Sequence, residues 1–308
     1  MDYYIGWDVG AWKCKRTGGS CDALFVMDKN GSLGCHRDNM SVSIQKVCDS
    51  SVEEKQATLI DGWFSLAKVE GHAYSAEHKY FVAIDTPLGW PKTFTQLMSG
   101  NLSKNWKFNS KDRNIENTML FRRTERELGS SLSAIVDSIG SQSTKGMALL
   151  CSLGATLESW GVWKAGNITL FETYPTACLR SEAFVDWMCG LKLKQDIRCS
   201  KKQRTKKKAS KKRLFIDQDD IFDAGVCACL AKAFTAGNPK LKQPPEDTDD
   251  EESEGWIFYP DDKPIEKSLI SKYKSVVNTP TTKSFAMAVK QFRELVAKRK
   301  TKSARKKK

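Results

Sequence analysis

Histidine is scarce, with only His36, His72 and His78 in 308 residues, and none of the ten cysteines forms a Cys-x-x-Cys pair. A structural zinc site therefore has no donor set to draw on. The cysteines stand singly at irregular spacing and read as reduced thiols used as small core hydrophobes, with Cys227 and Cys229 on different sides of a helix. No apolar run approaches the roughly 20 residues that span a bilayer, so no membrane partner is expected. Met1-Asp2-Tyr3-Tyr4-Ile5 lacks the basic region and apolar segment of a secretory signal. The expectation is an intracellular protein, cytoplasmic, or nuclear in a eukaryote. Internal repeats are also absent.

Positive charge is abundant. The net charge of +13 is concentrated in a run from Lys192 to Arg213, which includes Lys201, Lys202 and Arg204, and in a tail from Lys298 to Lys308. Clusters of this density point to a polyanionic partner, DNA or RNA. A solvated tail or a nuclear-import signal is the plainer reading of the tail alone.

Hydrophobic patterning gives an element order of β-β-β-α-β-α-β-α. Tyr3–Val9 reads as a buried strand and Asp22–Met27 as a second. Asp28-Lys29-Asn30-Gly31 is a hairpin signal, with a third strand returning over Ser32–His36. Ser51–Val69 carries helical periodicity, and Lys79–Ile84 is an apolar strand stopped by Asp85-Thr86-Pro87. A long polar excursion covers residues 90–130. The pattern then predicts a helix over Leu132–Trp160 broken near Gly140–Gly146, a strand over Asn167–Phe171, a helix over Thr176–Met188 and a helix from Asp217 to Ala236. Pro244–Glu254 reads as an exposed acidic loop, and Lys283–Ala297 as an amphipathic helix. The expected fold is α/β: a mixed sheet covered by helices on both faces. Residues 1–262 form the domain, with the excursion, the basic insertion 192–213 and the acidic loop 244–254, and residues 263–308 carry a C-terminal helix and basic tail.

Carboxylates recur where this sheet would bind a ligand. Asp8 and Asp85 end two candidate central strands, Glu172 follows a third, and Asp220 and Asp223 share a face of the late helix. There are structural readings as well: Asp8 and Asp85 as turn residues, Glu172 as a partner of Arg123 or Arg180, Asp219 and Asp220 as N-caps. Their recurrence at one sheet edge, with no histidine or cysteine among them, favours an all-oxygen site for Mg²⁺ or Mn²⁺. Two such ions about 3.5–4 Å apart support in-line displacement at a phosphodiester.

At this point the residues acquire a resemblance. Gly6-Trp7-Asp8-Val9-Gly10, Ala83-Ile84-Asp85-Thr86-Pro87-Leu88-Gly89-Trp90-Pro91, Arg122-Arg123-Thr124-Glu125-Arg126, Glu172-Thr173-Tyr174-Pro175, Asp219-Asp220-Ile221-Phe222-Asp223-Ala224 and Glu254-Gly255-Trp256-Ile257 occur in this order over Tyr3–Pro260. The set resembles the domain of unknown function 429 family of predicted RNase H-like nucleases. The resemblance implies an RNase H-like, mixed five-stranded sheet with a RuvC-type arrangement of acids. Asp8, Asp85, Asp220 and Asp223 would then hold the metal ions, with Glu172 nearby among the catalytic acids. Arg122 and Arg123 match a further family motif, and their chemistry suits bidentate phosphate contacts. The basic insertion and the acidic loop depart from the family pattern.

Three functions follow from these residues. The first is a metal-dependent nuclease acting on DNA or RNA. The second is a catalytically inactive RNase H-like nucleic-acid-binding or scaffold protein, which clustered acids facing phosphates would not serve. The third is a phosphotransferase of the actin and sugar-kinase type, which Asp8-Val9-Gly10 with Lys13 fits loosely. That reading needs a second glycine-rich phosphate loop, for which Gly140–Gly146 is a poor candidate.

Overall fold

Six of the seven residues of β1 (Asp2–Asp8) are buried, so side chains on both sides of this strand are covered and it is central. In the computed structural model it lies at the middle of a mixed sheet. The structure describes residues 1–12, 21–104, 117–129, 133–135, 139–191, 193, 211–246, 252–262 and 285–306. The basic residues Lys201, Lys202 and Arg204 lie outside them, as does the middle of the acidic loop.

β2 (Ala23–Asp28) and β3 (Gly31–Arg37) follow β1 as an antiparallel meander. The hairpin forms as the sequence predicts: Asp28 Oδ1 accepts hydrogen bonds from the backbone of Asn30 and Gly31 at 2.7 and 2.9 Å. β4 (Lys79–Asp85) lies parallel to β1 on its other side, and β7 (Ile168–Thr173) lies parallel to β4. These are the expected core strands. The sheet is larger than five strands, however. A hairpin of β5 (Thr156–Ser159) and β6 (Val162–Ala165) adds to the β7 edge, and β8 (Ile257–Phe258) pairs parallel with the end of β7. The path order is β3-β2-β1-β4-β7-β6-β5.

The hairpin stands where the helix was expected to continue. α5 (Gly140–Leu153) runs unbroken through Gly146 and stops at Gly154, which takes the left-handed conformation at φ 62°. The end of this helix was written in turn chemistry rather than in periodicity.

Helices cover both faces. Ile5, Trp7, Leu24, Val26, Val82, Ile84 and Leu170 pack against α1 (Ser41–Asp49), α2 (Lys55–Leu66) and α5. α1 was not anticipated, because only Ile44 and Val47 mark its buried side. The polar excursion contributes α3 (Lys92–Met98) and α4 (Arg123–Leu128). After β7 come α6 (Pro175–Cys178) and α7 (Glu182–Gly190), the latter capped by Ser181 Oγ, which accepts from Phe184 N at 2.9 Å.

The other face belongs to α8 (Lys211–Ala236). It starts six residues before Asp217, so the aspartates sit inside the helix and are not its caps. From Phe222 to Ala233 most of its residues are completely buried against Tyr4, Ala23, Phe25, Ala83 and Phe171. Cys227 and Cys229 are both fully buried, because this stretch is covered all round, and burial raises both thiols. Among the described residues, Cys35 is disulfide-bonded, against the expectation of a wholly reduced set.

α9 (Phe285–Lys306) is amphipathic, as expected of the C-terminal region, and longer. Phe285, Ala288, Val289 and Phe292 are buried in the same core as α8, with the Phe285 ring 5.2 Å from Phe222 and 5.0 Å from Phe25. It is therefore part of the body. Among the described residues, no helix is long and apolar enough to cross a membrane.

α8 approaches β1 as closely as two backbones can. A Cβ placed on Gly6 would lie 1.9 Å from the carbonyl oxygen of Ala224 and 2.4 Å from the Ala228 nitrogen. Only glycine fits there. Gly6→Ala is expected to lower stability by about 3 kcal/mol or more, at the top of the range for overpacking because both obstacles are backbone. Denaturant unfolding measures this, and a change below about 0.5 kcal/mol would show that α8 can shift freely.

Candidate active site

The parallel pairing of β1 with β4 sets Asp8 beside Asp85, and the antiparallel pairings extend this row through Ala23 to Arg37. Residues in one register row leave the sheet on one face. Here it is the α8 face, the one that receives Gly6 and Ala23. The contact at Gly6 carries Asp220 and Asp223, one turn or less before Ala224, to the carboxyl edge of the same strands.

Asp8 shows the result electrostatically. It is 9% exposed, and burial pushes its carboxyl well above the usual range. The charges of Asp85, Asp220, Asp223 and Asp22 push the same way. Four predicted ligands therefore converge on one field. A cleft of about 160 Å³ opens beside Asp8 and Asp85, lined also by Val9, Thr86, Gln142, Glu172 and Tyr174 among others; Asp220 and Asp223 are not part of its lining.

The donor set suits a hard divalent cation in kind: aspartates from two strand ends and a helix. The soft donors in their field are the buried thiols Cys227 and Cys178, both raised mainly by burial and further by Asp85. The carboxylates are not drawn up as a ligand sphere. Among the described residues, no three His, Cys, Asp or Glu side chains form a metal-holding group. Asp220 is engaged elsewhere: Arg37 Nε donates to its Oδ2 at 2.7 Å.

The backbone that carries Asp8 is fixed by a buried ion pair that sequence reading missed. Asp22, fully buried, accepts from Trp7 Nε1 at 3.1 Å, from the backbone of Gly10 at 3.0 Å and Met40 at 2.8 Å, and from Lys145 Nζ. Lys145, also fully buried, reaches the Gly10 carbonyl at 3.4 Å. A lysine on a helix is ordinarily solvated, so the one available signal was its place beside Gly146 on a helix bounded by apolar residues.

Glu172 and Arg122 occupy different positions from those expected. Glu172 registers with Ile84, one residue out of the Asp8–Asp85 row, so it leaves the sheet on the opposite face. Both its oxygens are taken by Arg122: Nη1 to Oε2 at 2.7 Å and Nη2 to Oε1 at 2.6 Å. Leu88 N adds a hydrogen bond to Oε2 at 3.0 Å.

Arg122, expected to hold phosphate, is fully buried. Its remaining hydrogen bonds go to Glu125 Oε1 at 2.9 Å and the Glu254 carbonyl at 3.0 Å. Burial alone would lower its pKa, but Glu125 and Glu172 outweigh that and raise it. Both residues act as a strut, sealed because the strut replaces water on every polar atom. Glu254, expected in an exposed loop, is 2% exposed and accepts from the backbone of Lys92 at 2.6 Å and Arg123 at 2.8 Å.

Of the two arginines, Arg123 is the one within reach of solvent. Its side chain is 32% exposed and pairs with Glu127 at 3.0 Å.

Fold and site together define an α/β protein with carboxylates gathered at the carboxyl edge of a mixed sheet. The chain belongs to the family described as Protein of unknown function (DUF429), whose model matches residues 51–249. This is narrower than the span from Tyr3 to Pro260 suggested by the motifs. Asp85, Arg122, Arg123, Glu172, Asp220 and Asp223 fall within the match, and Asp8 and Glu254 fall outside it. Neither curated proteins nor solved structures give a match.

Removing one partner from a buried pair leaves an uncompensated charge, at a cost of about 3–5 kcal/mol. Arg122→Met should destabilise the protein by that amount in denaturant unfolding. Arg122→Lys should recover only part of it, since an ammonium cannot supply the forked donors. Full stability in Arg122→Met would refute the strut.

Proposed function

We propose that the protein is a divalent-cation-dependent nuclease that hydrolyses phosphodiester bonds of DNA or RNA on an RNase H-like fold. The observation that carries this reading is the convergence of Asp8 and Asp85, adjacent in register at two strand ends, with Asp220 and Asp223 from α8. The core order β3-β2-β1-β4-β7, a hairpin-linked trio followed by two parallel strands, agrees with what an RNase H-like sheet requires. The net charge of +13 suits a polyanionic substrate.

In this reading Asp8, Asp85, Asp220 and Asp223 hold Mg²⁺ or Mn²⁺, which when bound supplies Lewis-acid charge and a more acidic water. The chain's own residues do the positioning. The Asp22–Lys145 pair holds the Asp8–Gly10 backbone, and the Arg122 strut holds the Leu88 loop and the end of β7 against the cleft. Arg123 and the basic runs are the candidates for contacts to substrate phosphates. Glu172 supports the cleft wall and takes no part in holding metal.

The test is Mg²⁺- and Mn²⁺-dependent cleavage of labelled single-stranded, duplex and hybrid DNA and RNA. Asp8→Asn and Asp85→Asn should each lose activity by a hundredfold or more, since even partners that merely orient a metal ligand cost about 10–100-fold. Chelator should abolish it. Salt-sensitive nucleic-acid binding without cleavage, unchanged by either substitution, would favour the non-catalytic binding protein instead.

A further inference from the structure

Arg37 lies in the same register row as two of the acids, Arg37–Ala23–Asp8–Asp85, across four strands. The row ends in a cation at β3 and a carboxylate at β4. The guanidinium reaches over to α8, where Nε meets Asp220 Oδ2 at 2.7 Å with side chains only 14% and 11% exposed. An ion pair this sheltered is screened far less than a surface pair. The docking of α8 does not depend on it, because the apolar residues from Phe222 to Ala233 already bury that helix on the sheet. What the pair does change is the charge balance of the acidic edge, where Asp85, Asp220 and Asp223 all bear on the buried Asp8.

We infer that Arg37 is a built-in competitor for the divalent cation: it neutralises Asp220 until a cation takes that carboxylate, and so sets the cation concentration at which the site loads. The inference rests on the nuclease reading above. It gives the ion pair two consequences. The pair lowers repulsion among the aspartates in the unloaded protein, and it weakens cation binding by the free energy needed to break it. Lys145 is no substitute, since its ammonium is held by Asp22 and the Gly10 carbonyl on the far side of the Asp8 backbone loop.

The experiment is Mn²⁺ binding to the full-length protein without nucleic acid, followed by electron paramagnetic resonance and by calorimetry. Arg37→Gln should bind Mn²⁺ about tenfold more tightly than the wild type, the equivalent of losing one charge-assisted hydrogen bond that competes for the site. Arg37→Lys, which keeps the charge but not the planar donor, should fall between the two and serves if the glutamine variant does not fold. In an Asp220→Asn background the substitution at Arg37 should leave affinity unchanged. Equal or weaker binding by folded Arg37→Gln and Arg37→Lys overturns the inference and leaves the nuclease reading standing. Absence of Mn²⁺ binding from every variant overturns both.

Discussion

The contact between α8 and β1 at Gly6 is the constraint on which the rest of the structure depends. Because a carbonyl oxygen of α8 fills the space that a side chain would take, the helix cannot sit higher on the sheet without opening the core. Its small residues Ala224, Ala228 and Ala231 are what such proximity demands. The same few ångströms that close the core also bring two aspartates to a third and a fourth. Packing of the core and gathering of the aspartates are here one requirement, and neither can be altered without the other.

The protein handles its acidic groups in two opposite ways on the two sides of the sheet edge. On one side Glu125, Glu172 and Glu254 are buried around Arg122 and backbone amides, so that each carboxylate is hydrogen-bonded. This costs desolvation that good geometry must offset, and it joins the polar excursion, β7 and the β8 strand into one rigid wall. On the other side the aspartates repel one another, Asp8 and Asp85 at the cleft and Asp220 and Asp223 on α8, with Arg37 as a partial counterweight. The first group is held by matched hydrogen bonds, and the second keeps its repulsion; under the proposed function a cation would relieve it.

Much of this was legible in the sequence, and the failures have identifiable causes. Asp8 and Asp85 could be found because a strand that ends in a carboxylate and a turn marks itself. Asp220 and Asp223 could be found by their spacing on an apolar helix. Glu172 looked equivalent to the strand-end aspartates, but a single residue of register decides which face a strand side chain takes, and register is a property of the pairing. Arg122 looked like a phosphate ligand because, beyond its neighbour Glu125, nothing local reveals that Glu172 and the Glu254 carbonyl from distant segments will enclose it. The Asp22–Lys145 pair joins residues 123 positions apart, so its pairing could not be read locally either. The β5–β6 hairpin was hidden behind helical periodicity that ended one glycine earlier than assumed. Gly255–Pro260 reads from the sequence as a short strand or ordered turn returning to the body, and β8 lies within it, but its pairing with β7 is a tertiary choice that no local pattern specifies.

The ion pair between Arg37 and Asp220 joins residues 183 positions apart in the chain. Its significance extends to the order of assembly. On a ribosome, β1 to β4 emerge long before α8, so Asp8 and Asp85 are in place as an incomplete pair while most of the protein is still to be made. The strand row then waits, with its inner face uncovered, for a helix encoded in the last third of the sequence. A chain interrupted before that helix would display an exposed apolar sheet and half a site. Completion of the acidic group and burial of that surface therefore arrive in the same step.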